Sequence, residues 1–296
     1  MNKIAPIALF TYNRLWHTQQ TINALLKNEF ATKSSIIIFS DGPKDENSKI
    51  KVDEVRKYLK TIKGFKDIEV IESEGNKGLA ESIINGVTKV VNEYGKIIVL
   101  EDDLITSPYF LRFINEGLNF YEDNENIISV CGYIYPIKQK LPETFFLKFI
   151  DSWGWGTWKR AWDIFESDGQ KLLKALEEQN LTYEFDISGS SSFTLMLKDQ
   201  IAGKNNSWAV RWYASAFLNQ KLSLYPGISL VQNIGNDGTG VHCGTTFLYE
   251  VNLSKRPIKV QKIIIENNPE VLKLMFRFFN IGFFNKIIDK IKRLLK

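Results

Sequence analysis

The sequence contains little cysteine and histidine, with two residues of each among 296. Cys131 and Cys243 stand far apart and lack the C-x-x-C spacing of a zinc knuckle. They do not indicate a disulfide framework either, since reduced thiols are the usual state in a cytosol. The cysteines therefore predict neither structural zinc nor disulfide bonds.

Long apolar runs are also absent. No stretch reaches the roughly 18 uncharged apolar residues that a membrane-spanning helix needs. The opening "MNKIAPIALFTYNR" is too short and too polar for a secretion signal, so we expect a cytoplasmic location. A hydrophobic content of 44% nevertheless suffices for one large α/β domain.

Positive charge is scarce outside the C-terminus. The net charge is +4, but residues 273–296 contain seven basic residues and one acidic residue. The rest of the chain is therefore slightly acidic, and no nucleic-acid partner is expected. Apolar residues on one face of the tail and basic residues elsewhere are typical of a helix on an anionic membrane. We predict that residues 256–296 form a basic amphipathic tail, peripheral on the inner face of the cell membrane; the alternative is a terminal helix docked on the domain.

The first half of the chain alternates between apolar runs and amphipathic segments. This order implies right-handed βαβ units and a mostly parallel sheet flanked by helices. Uninterrupted apolar runs indicate strands covered on both faces. The next segment predicts a helix with Ser107 as its N-cap and Pro108 at its first position. The four strand-like runs are "IAPIALFTY", "SSIIIFSDG", "DIEVIES" and "KIIVLEDD".

We expect one domain over residues 1–255, with a nucleotide-binding half (residues 1–132) and a second half (residues 133–255) that closes over it. The four predicted strands end in polar, turn-rich stretches: "FTYNR", "SDGPKD", "ESEGNKG" and "EDD". Ligands of open parallel sheets bind beyond the carboxyl ends of the strands. The convergence of these four stretches predicts a binding site at that edge.

Three adjacent acids, Glu101, Asp102 and Asp103, repel one another unless a cation holds them. Hard ions such as Mg²⁺ or Mn²⁺ prefer oxygen ligands and often share them with a phosphate. The cluster therefore favours a metal–diphosphate site. The alternative is that Asp102 and Asp103 only precede the next helix, where acids suit the helix dipole.

Two other strand ends contain candidate ligands for an anion or a nucleoside. Lys77 lies in the glycine-rich turn "GNKG", which opens a helix and can approach an anion closely. The turn lacks the spacing of a Walker motif or of G-x-G-x-x-G. Asp41 can accept a hydrogen bond from a base or ribose. The alternative for both is an ordinary turn.

Six of the seven tryptophans lie between residues 153 and 212. Flat indole faces stack on sugar rings, and "DSWGWGTW" offers Trp153 and Trp155 on a loop that Gly154 and Gly156 make flexible. Core packing is the alternative, and helix-like spacing favours it for Trp158 and Trp162.

A glycine-rich loop, "NIGNDGTGVHCG", contains His242, which is a candidate metal ligand or phosphate donor. A lone histidine in such a loop is not typical of a packed core. His17 lies in a predicted helix, and we assign it no role.

Together these residues resemble glycosyltransferases of the GT-A fold, over roughly residues 4–244. "PIALFTYNR" resembles the opening strand of family 2-like sugar transferases, and "EDDLITSPYF" the metal-binding stretch of N-acetylglucosaminyltransferase I. "SWGWGTWKRAW", "SWAVRWY" and "NIGNDGTGVHCG" resemble bacterial capsule and lipopolysaccharide glycosyltransferases. The resemblance implies a Rossmann-like GT-A domain.

The resemblance also implies roles for particular residues. Asp103 binds Mn²⁺ or Mg²⁺ directly, and His242 closes the site over the diphosphate. The implied donor-binding residues are Thr11, Arg14, Asp41, Lys77, Glu101 and Asp102. The implied acceptor-binding residues are Trp153, Trp155 and Trp208.

One departure from the N-acetylglucosaminyltransferase I pattern concerns the catalytic base. No acid follows Trp208, where the sequence reads Ala-Val-Arg. An inverting transferase needs a carboxylate near the acceptor hydroxyl, whereas a retaining mechanism does not. Asp151, Asp199 and Asp237 are the candidate bases, and the sequence does not rank them.

The resulting hypothesis is a metal-dependent glycosyltransferase of bacterial surface glycan synthesis. It moves a hexose or N-acetylhexosamine from a nucleoside-diphosphate donor, expected to be a UDP-sugar, to a glycan or lipid-linked saccharide acceptor. Two alternatives remain open. A sugar-1-phosphate nucleotidyltransferase shares the architecture, but "FTYNRLWHTQQ" lacks the glycine-rich loop that such enzymes place after the first strand. A non-catalytic carbohydrate-binding protein would not require the acidic stretch.

Overall fold

The computed structural model describes residues 4–239 and 245–280. Strands and helices alternate through the first half, as the sequence predicts. The strands of the described residues are β1 (Ile7–Thr11), β2 (Ser35–Ser40), β3 (Asp67–Glu72), β4 (Lys96–Glu101), β5 (Leu104–Thr106), β6 (Ile127–Cys131), β7 (Thr144–Leu147), β8 (Trp155–Trp158), β9 (Leu222–Pro226) and β10 (Val231–Asn233). The helices are α1 (Leu15–Leu26), α2 (Glu46–Leu59), α3 (Leu79–Tyr94), α4 (Phe110–Phe120), α5 (Lys159–Trp162), α6 (Gly169–Glu178), α7 (Thr182–Phe185), α8 (Phe193–Ile201), α9 (Trp208–Leu218) and α10 (residues 269–280).

The central sheet is mixed and mostly parallel, with the strand order β3-β2-β1-β4-β8-β6-β9-β7. β1 pairs in parallel with β2 and β4, and β2 pairs in parallel with β3. The residues of β1 are all buried, because helices cover both faces of this part of the sheet. The prediction of an α/β fold with a mostly parallel sheet flanked by helices is confirmed.

Most carboxyl ends of the sheet lie at one edge. β8 runs antiparallel to both β4 and β6, so β6 has the same direction as β4. β9 is parallel to β6. The segments after β6 and β9 therefore reach the same edge as the polar ends of β1 to β4, and the second half of the chain contributes to the same site.

Only residues 151–154 of the stretch "DSWGWGTW" lie in a loop, as the sequence predicts for the whole stretch. Trp155–Trp158 is strand β8, in the middle of the sheet between β4 and β6. Gly156 allows close packing of helix α4, since a Cβ on Gly156 would lie 2.6 Å from Cγ2 of Ile114. The absence of a side chain at Gly156 therefore allows α4 to pack closely on β8 and does not make this part of the chain flexible.

Helix α4 begins two residues later than predicted. Strand β5 follows Asp103 and pairs with β10, and α4 begins at Phe110 with Tyr109 as its N-cap, so the prediction of Ser107 as the cap is wrong. The hydroxyl of Ser107 accepts from the N–H of Tyr109 at 3.3 Å and donates to the carbonyl oxygen of Ser254 at 2.7 Å. Because a strand separates the acids from the helix, Asp102 and Asp103 do not stabilise its N-terminus.

The described part of the C-terminal segment packs on the domain. The N–H of Asn268 donates to the carbonyl oxygen of Phe146 in β7, the outer strand of the sheet. In α10, Val271 and Met275 are fully buried against the domain. Among the described residues no helix is long and apolar enough to cross a membrane. Residues 256–280 of the predicted tail are therefore docked on the domain, which is the alternative prediction. Residues 281–296 lie outside the described residues.

Replacing Gly156 by alanine tests the packing of β8 on α4. We expect Gly156→Ala to lower the free energy of unfolding by about 1–3 kcal/mol, because the added methyl group overpacks the core. Urea denaturation measures this change. Gly75→Ala is the matched control, since a Cβ there meets nothing within 4 Å. Equal stability of the two variants would show that the strand tolerates the extra volume.

Candidate active site

Arg14 joins two carboxylates at the centre of the polar edge. Its Nη2 atom donates to Oδ1 of Asp102 at 2.5 Å and to Oδ2 of Asp103 at 2.7 Å. Both aspartates are buried. Arg14 follows β1 and the aspartates follow β4, so the ion pairs connect neighbouring strand ends. Three predicted site residues thus come together.

The charges of this cluster are strongly coupled. Burial raises the pKa of Glu101, and the charges of Asp103 and Asp102 raise this pKa further. Burial also raises the pKa of Asp102, against the opposing attraction of Arg14. Burial by itself would lower the pKa of Arg14, but the two aspartates outweigh burial and raise it. One guanidinium faces three acids, and such a site favours a further cation.

The oxygen ligands fit a metal that is shared with a substrate phosphate. The described residues contain no group of three or more His, Cys, Asp or Glu side chains that could hold an ion alone. Mg²⁺ is commonly bound through one or two carboxylates together with substrate phosphates and water. Asp103 and Asp102 provide that number of carboxylates. His242, the other predicted ligand, lies outside the described residues.

The segment after β10 lies directly on Asp103. The N–H of Ile234 donates to the carbonyl oxygen of Asp103 at 2.9 Å. A Cβ on Gly235 would lie 2.0 Å from Oδ2 of Asp103, so only glycine allows this approach. The glycines of "NIGNDG" therefore bring the backbone onto the acidic cluster.

Asp237 in this segment binds a residue to which the sequence assigned no role. Its Oδ2 atom lies 3.0 Å from Nε2 of the buried His17 in α1. Hydrogen bonds from Thr239 lower the pKa of Asp237 to about 2. A carboxylate with so low a pKa is a weak base, and its contacts anchor the segment to α1. No local sequence pattern relates His17 to a position 220 residues away.

Asp41 connects the ends of β2 and β3. Its Oδ1 atom accepts from the N–H groups of Gly42 and Lys77, and its Oδ2 atom accepts from the side chain of Asn76 and the N–H of Gly78. Each of these bonds is 2.9 Å long. The carboxylate thus positions the "GNKG" turn. The side chain of Lys77 is exposed.

Asp151 lies near the acidic cluster and is buried. Its Oδ1 atom accepts from the N–H of Trp153 at 2.8 Å, and it also interacts with the hydroxyl of Tyr135. Burial raises the pKa of Asp151 to about 7. Its charge contributes to the raised pKa of Glu101, so the two carboxylates are within electrostatic range of each other. Asp199, by contrast, lies on α8 in an ion pair with Lys204.

The tryptophans divide into a partly exposed residue and a buried cluster. Trp153 is partly exposed and packs edge-on against Tyr133, with ring centres 4.7 Å apart. Trp155 and Trp208 are 0% and 3% exposed, and their rings stack on each other. Neighbouring rings, including that of Trp212, cover them. In this structure only Trp153 of the three predicted acceptor ligands offers a ring to solvent.

A cleft of about 730 Å³ lies beside Tyr135. Its wall consists of residues 134–143 after β6, residues 227–229 after β9 and parts of residues 250–258. Tyr135 belongs to this wall and also interacts with Asp151. The sequence analysis missed Tyr135, although "GYIYP" follows an apolar strand as the other polar ends do. The rule that predicts a binding site at the carboxyl ends of the strands could also have predicted this cleft.

A family profile described as "Glycosyl transferase family 2" matches residues 7–185. This match covers more than half of the chain, including the acidic cluster and Asp151. The chain belongs to glycosyl transferase family 2. The predicted family and the GT-A fold are thereby confirmed.

Solved structures similar to this family 2 chain have low sequence identity. TarS of S. aureus has a TM-score of 0.32 and 15% identity over 47% of this chain, which spans only 23% of TarS. The mannosyltransferase PcManGT of Pyrobaculum calidifontis, solved with GDP-Man and Mn²⁺, has a TM-score of 0.41 and 10% identity over 73% of this chain and 69% of its own. A UDP-glucose pyrophosphorylase solved with UDP-glucose has a TM-score of 0.36 and 10% identity over 75% of this chain and 90% of its own. No curated protein sequence matches significantly.

The hydrogen bonds by which Asp41 connects the ends of β2 and β3 can be tested by measuring the stability of a variant. In Asp41→Asn one oxygen becomes an amino group that faces N–H donors, so these donors lose their partner on a buried carboxylate. We expect the free energy of unfolding to fall by about 1–3 kcal/mol. Thermal denaturation measures the change, and Asp53→Asn on the exposed side of α2 is the control. If the two variants have the same melting temperature, the hydrogen bonds of Asp41 contribute little to the stability of the fold.

Proposed function

We propose that this family 2 chain is a metal-dependent glycosyltransferase acting in bacterial surface glycan synthesis. The observation that carries the proposal is the Arg14–Asp102–Asp103 cluster at the carboxyl edge of the sheet. A family 2 chain with carboxylates at this edge is suited to a nucleoside-diphosphate sugar, with UDP as the expected nucleotide. The transferred sugar is a hexose or N-acetylhexosamine.

The donor lies beyond the ends of β1 to β4 in this proposal. Asp103, with Asp102, holds Mn²⁺ or Mg²⁺, and a bound ion neutralises charge on the departing diphosphate. The exposed side chain of Lys77 supplies positive charge near the phosphates. Arg14 is assigned a donor contact and holds Asp102 and Asp103 in place through its ion pairs. The remaining donor contacts are assigned to Thr11, Asp41 and Glu101, with His242 as a further metal ligand.

Asp151 is the proposed base. The acceptor hydroxyl oxygen forms a bond to the anomeric carbon, and the bond from that carbon to the diphosphate oxygen breaks. The proton of the hydroxyl passes to the Asp151 carboxylate, and nucleoside diphosphate leaves. This displacement inverts the anomeric centre. Three observations support Asp151 over Asp199 and Asp237: its position near Glu101, its contact with the cleft through Tyr135, and its raised pKa.

The acceptor is proposed to be a glycan or lipid-linked saccharide that contacts Trp153. An aromatic ring beside a carboxylate suits a sugar, because its face packs on C–H groups while the carboxylate takes the hydroxyl. We further propose that the basic tail binds the anionic inner face of the membrane. Lys273 and Arg277 of α10 are exposed, whereas Val271 and Met275 face the domain, which leaves the basic side available.

A panel of nucleotide sugars with Mn²⁺ tests the proposed activity. We expect one donor to release nucleoside diphosphate, and Asp103→Asn to reduce this release on the order of 100-fold, as removal of a charge-stabilising group does. Asp53→Asn is the charge-matched control and should retain activity. Release of pyrophosphate from a nucleoside triphosphate would instead identify a nucleotidyltransferase. Full, metal-dependent activity of Asp103→Asn would refute the ligand assignment.

The pH dependence of transfer tests the base. Since the raised pKa of Asp151 is about 7, the carboxylate is protonated below this pH and cannot accept a proton. We expect kcat/KM to rise about tenfold per pH unit up to about pH 7 and then to level off. Asp151→Asn should lose about 100-fold or more in kcat.

Tyr135→Phe separates this titration from general damage to the fold. The Tyr135 hydroxyl lowers the pKa of Asp151 by bonding to its charged form. Its removal should therefore move the rise in kcat/KM to higher pH. At high pH the activity of Tyr135→Phe should equal that of the unmodified chain. If the pH profile of kcat/KM does not shift in Tyr135→Phe and is retained in Asp151→Asn, Asp151 is not the base.

A further inference from the structure

The cleft beside Tyr135 combines apolar walls with basic side chains. Ile228 contributes apolar surface and is 42% exposed. Lys138, Lys140 and Arg256 line the cleft together with two acids, Glu143 and Glu250. Basic groups therefore outnumber acidic groups on the wall.

The basic groups differ in how far they are neutralised. Arg256 forms a bidentate pair with Glu143, with N–O distances of 2.8 and 2.7 Å. Lys138 and Lys140 are exposed, and neither forms an ion pair with any residue that the structure describes. The paired arginine keeps little free charge, so the positive charge available to a ligand is that of the two lysines.

The sequence around the cleft strengthens this positive field. Residues 134–143 contain two basic residues and one acidic residue, and residues 250–265 contain four basic residues and one acidic residue. Both segments contribute to the wall. This imbalance contrasts with residues 1–272 taken as a whole, which contain slightly more acidic than basic residues. Basic groups concentrated at one concave surface attract anions and raise their local concentration.

From this arrangement we propose that the cleft binds a phosphate group of the acceptor, with Lys138 and Lys140 as its ligands. The inference rests on the proposed glycosyltransferase function and adds the chemical class of its acceptor. Tyr135 lines the cleft and hydrogen-bonds to Asp151, so a phosphate held in the cleft lies on the side of the domain where the proposed base is. The apolar wall accommodates the non-polar part of such a molecule, whether a sugar face or a lipid chain.

Calorimetry with a simple pair of probes tests the cleft. Glucose 6-phosphate and glucose are titrated into the full chain with saturating UDP and Mn²⁺, which occupy the donor site. We expect glucose 6-phosphate to bind at least about tenfold more tightly than glucose, as one charge-assisted contact provides. The double variant Lys138→Gln/Lys140→Gln should lose this preference.

A matched control is the pair Lys51→Gln/Lys57→Gln, which removes the same charge from exposed positions on α2. This control should bind glucose 6-phosphate as the unmodified chain does. Equal binding of the two sugars, or unchanged binding in the Lys138/Lys140 variant, would overturn the proposal.

Vesicles distinguish the source of the phosphate. If the acceptor phosphate belongs to a lipid, vesicles with 30 mol% phosphatidylglycerol in phosphatidylcholine should compete with glucose 6-phosphate, and pure phosphatidylcholine should not. Absence of competition, with phosphate preference intact, would support a soluble phosphorylated glycan.

Donor-dependent release of nucleoside diphosphate, measured in parallel, separates the acceptor proposal from the proposed glycosyltransferase function. If release persists without phosphate preference, only the acceptor class is wrong; if phosphate binds but no donor is used, the proposed function is wrong.

Discussion

The ion pairs of Arg14 with Asp102 and Asp103 are the interaction on which the site depends. Buried carboxylates are stable only when paired and hydrogen-bonded, and loss of one partner leaves an uncompensated charge. The bridge joins the ends of β1 and β4, and Thr21 of α1 donates to the carbonyl oxygen of Asp102. Helix α1 is thereby fixed at the edge of the sheet, where its His17 meets the segment that lies on Asp103. One charged cluster thus organises a strand end, a helix and a distant loop.

Polar groups that look like ligands in the sequence also hold the donor edge together. Asp41 accepts four hydrogen bonds around the "GNKG" turn, and Arg56 donates to the carbonyl oxygen of Ser73 at 2.6 Å. Such bonds replace the ladder hydrogen bonds that end with the strands. A rigid edge is useful to a transferase, because catalysis by positioning requires groups that do not reorganise during the reaction.

The second half of the chain buries most of its aromatic residues near the proposed acceptor site. Trp155, Trp162 and Trp212 pack against one another beneath the loop that contains Asp151. Phe279 of α10 packs against Tyr135, with ring centres 4.9 Å apart. The docked C-terminal helix therefore supports a wall residue of the cleft, beside the proposed acceptor site.

The sequence by itself determined the alternating strands and helices, the mostly parallel sheet and the edge at which polar residues gather. These features follow from local apolar periodicity and from the rule that parallel strands place their carboxyl ends together. Only the tertiary structure decided that Trp155 is buried in a central strand, that Asp41 positions a turn and that Asp151 stands apart from Asp199 and Asp237. Each of these outcomes depends on contacts between residues far apart in the chain. A glycine-rich tryptophan segment and a lone aspartate have no local property that reveals what will pack against them.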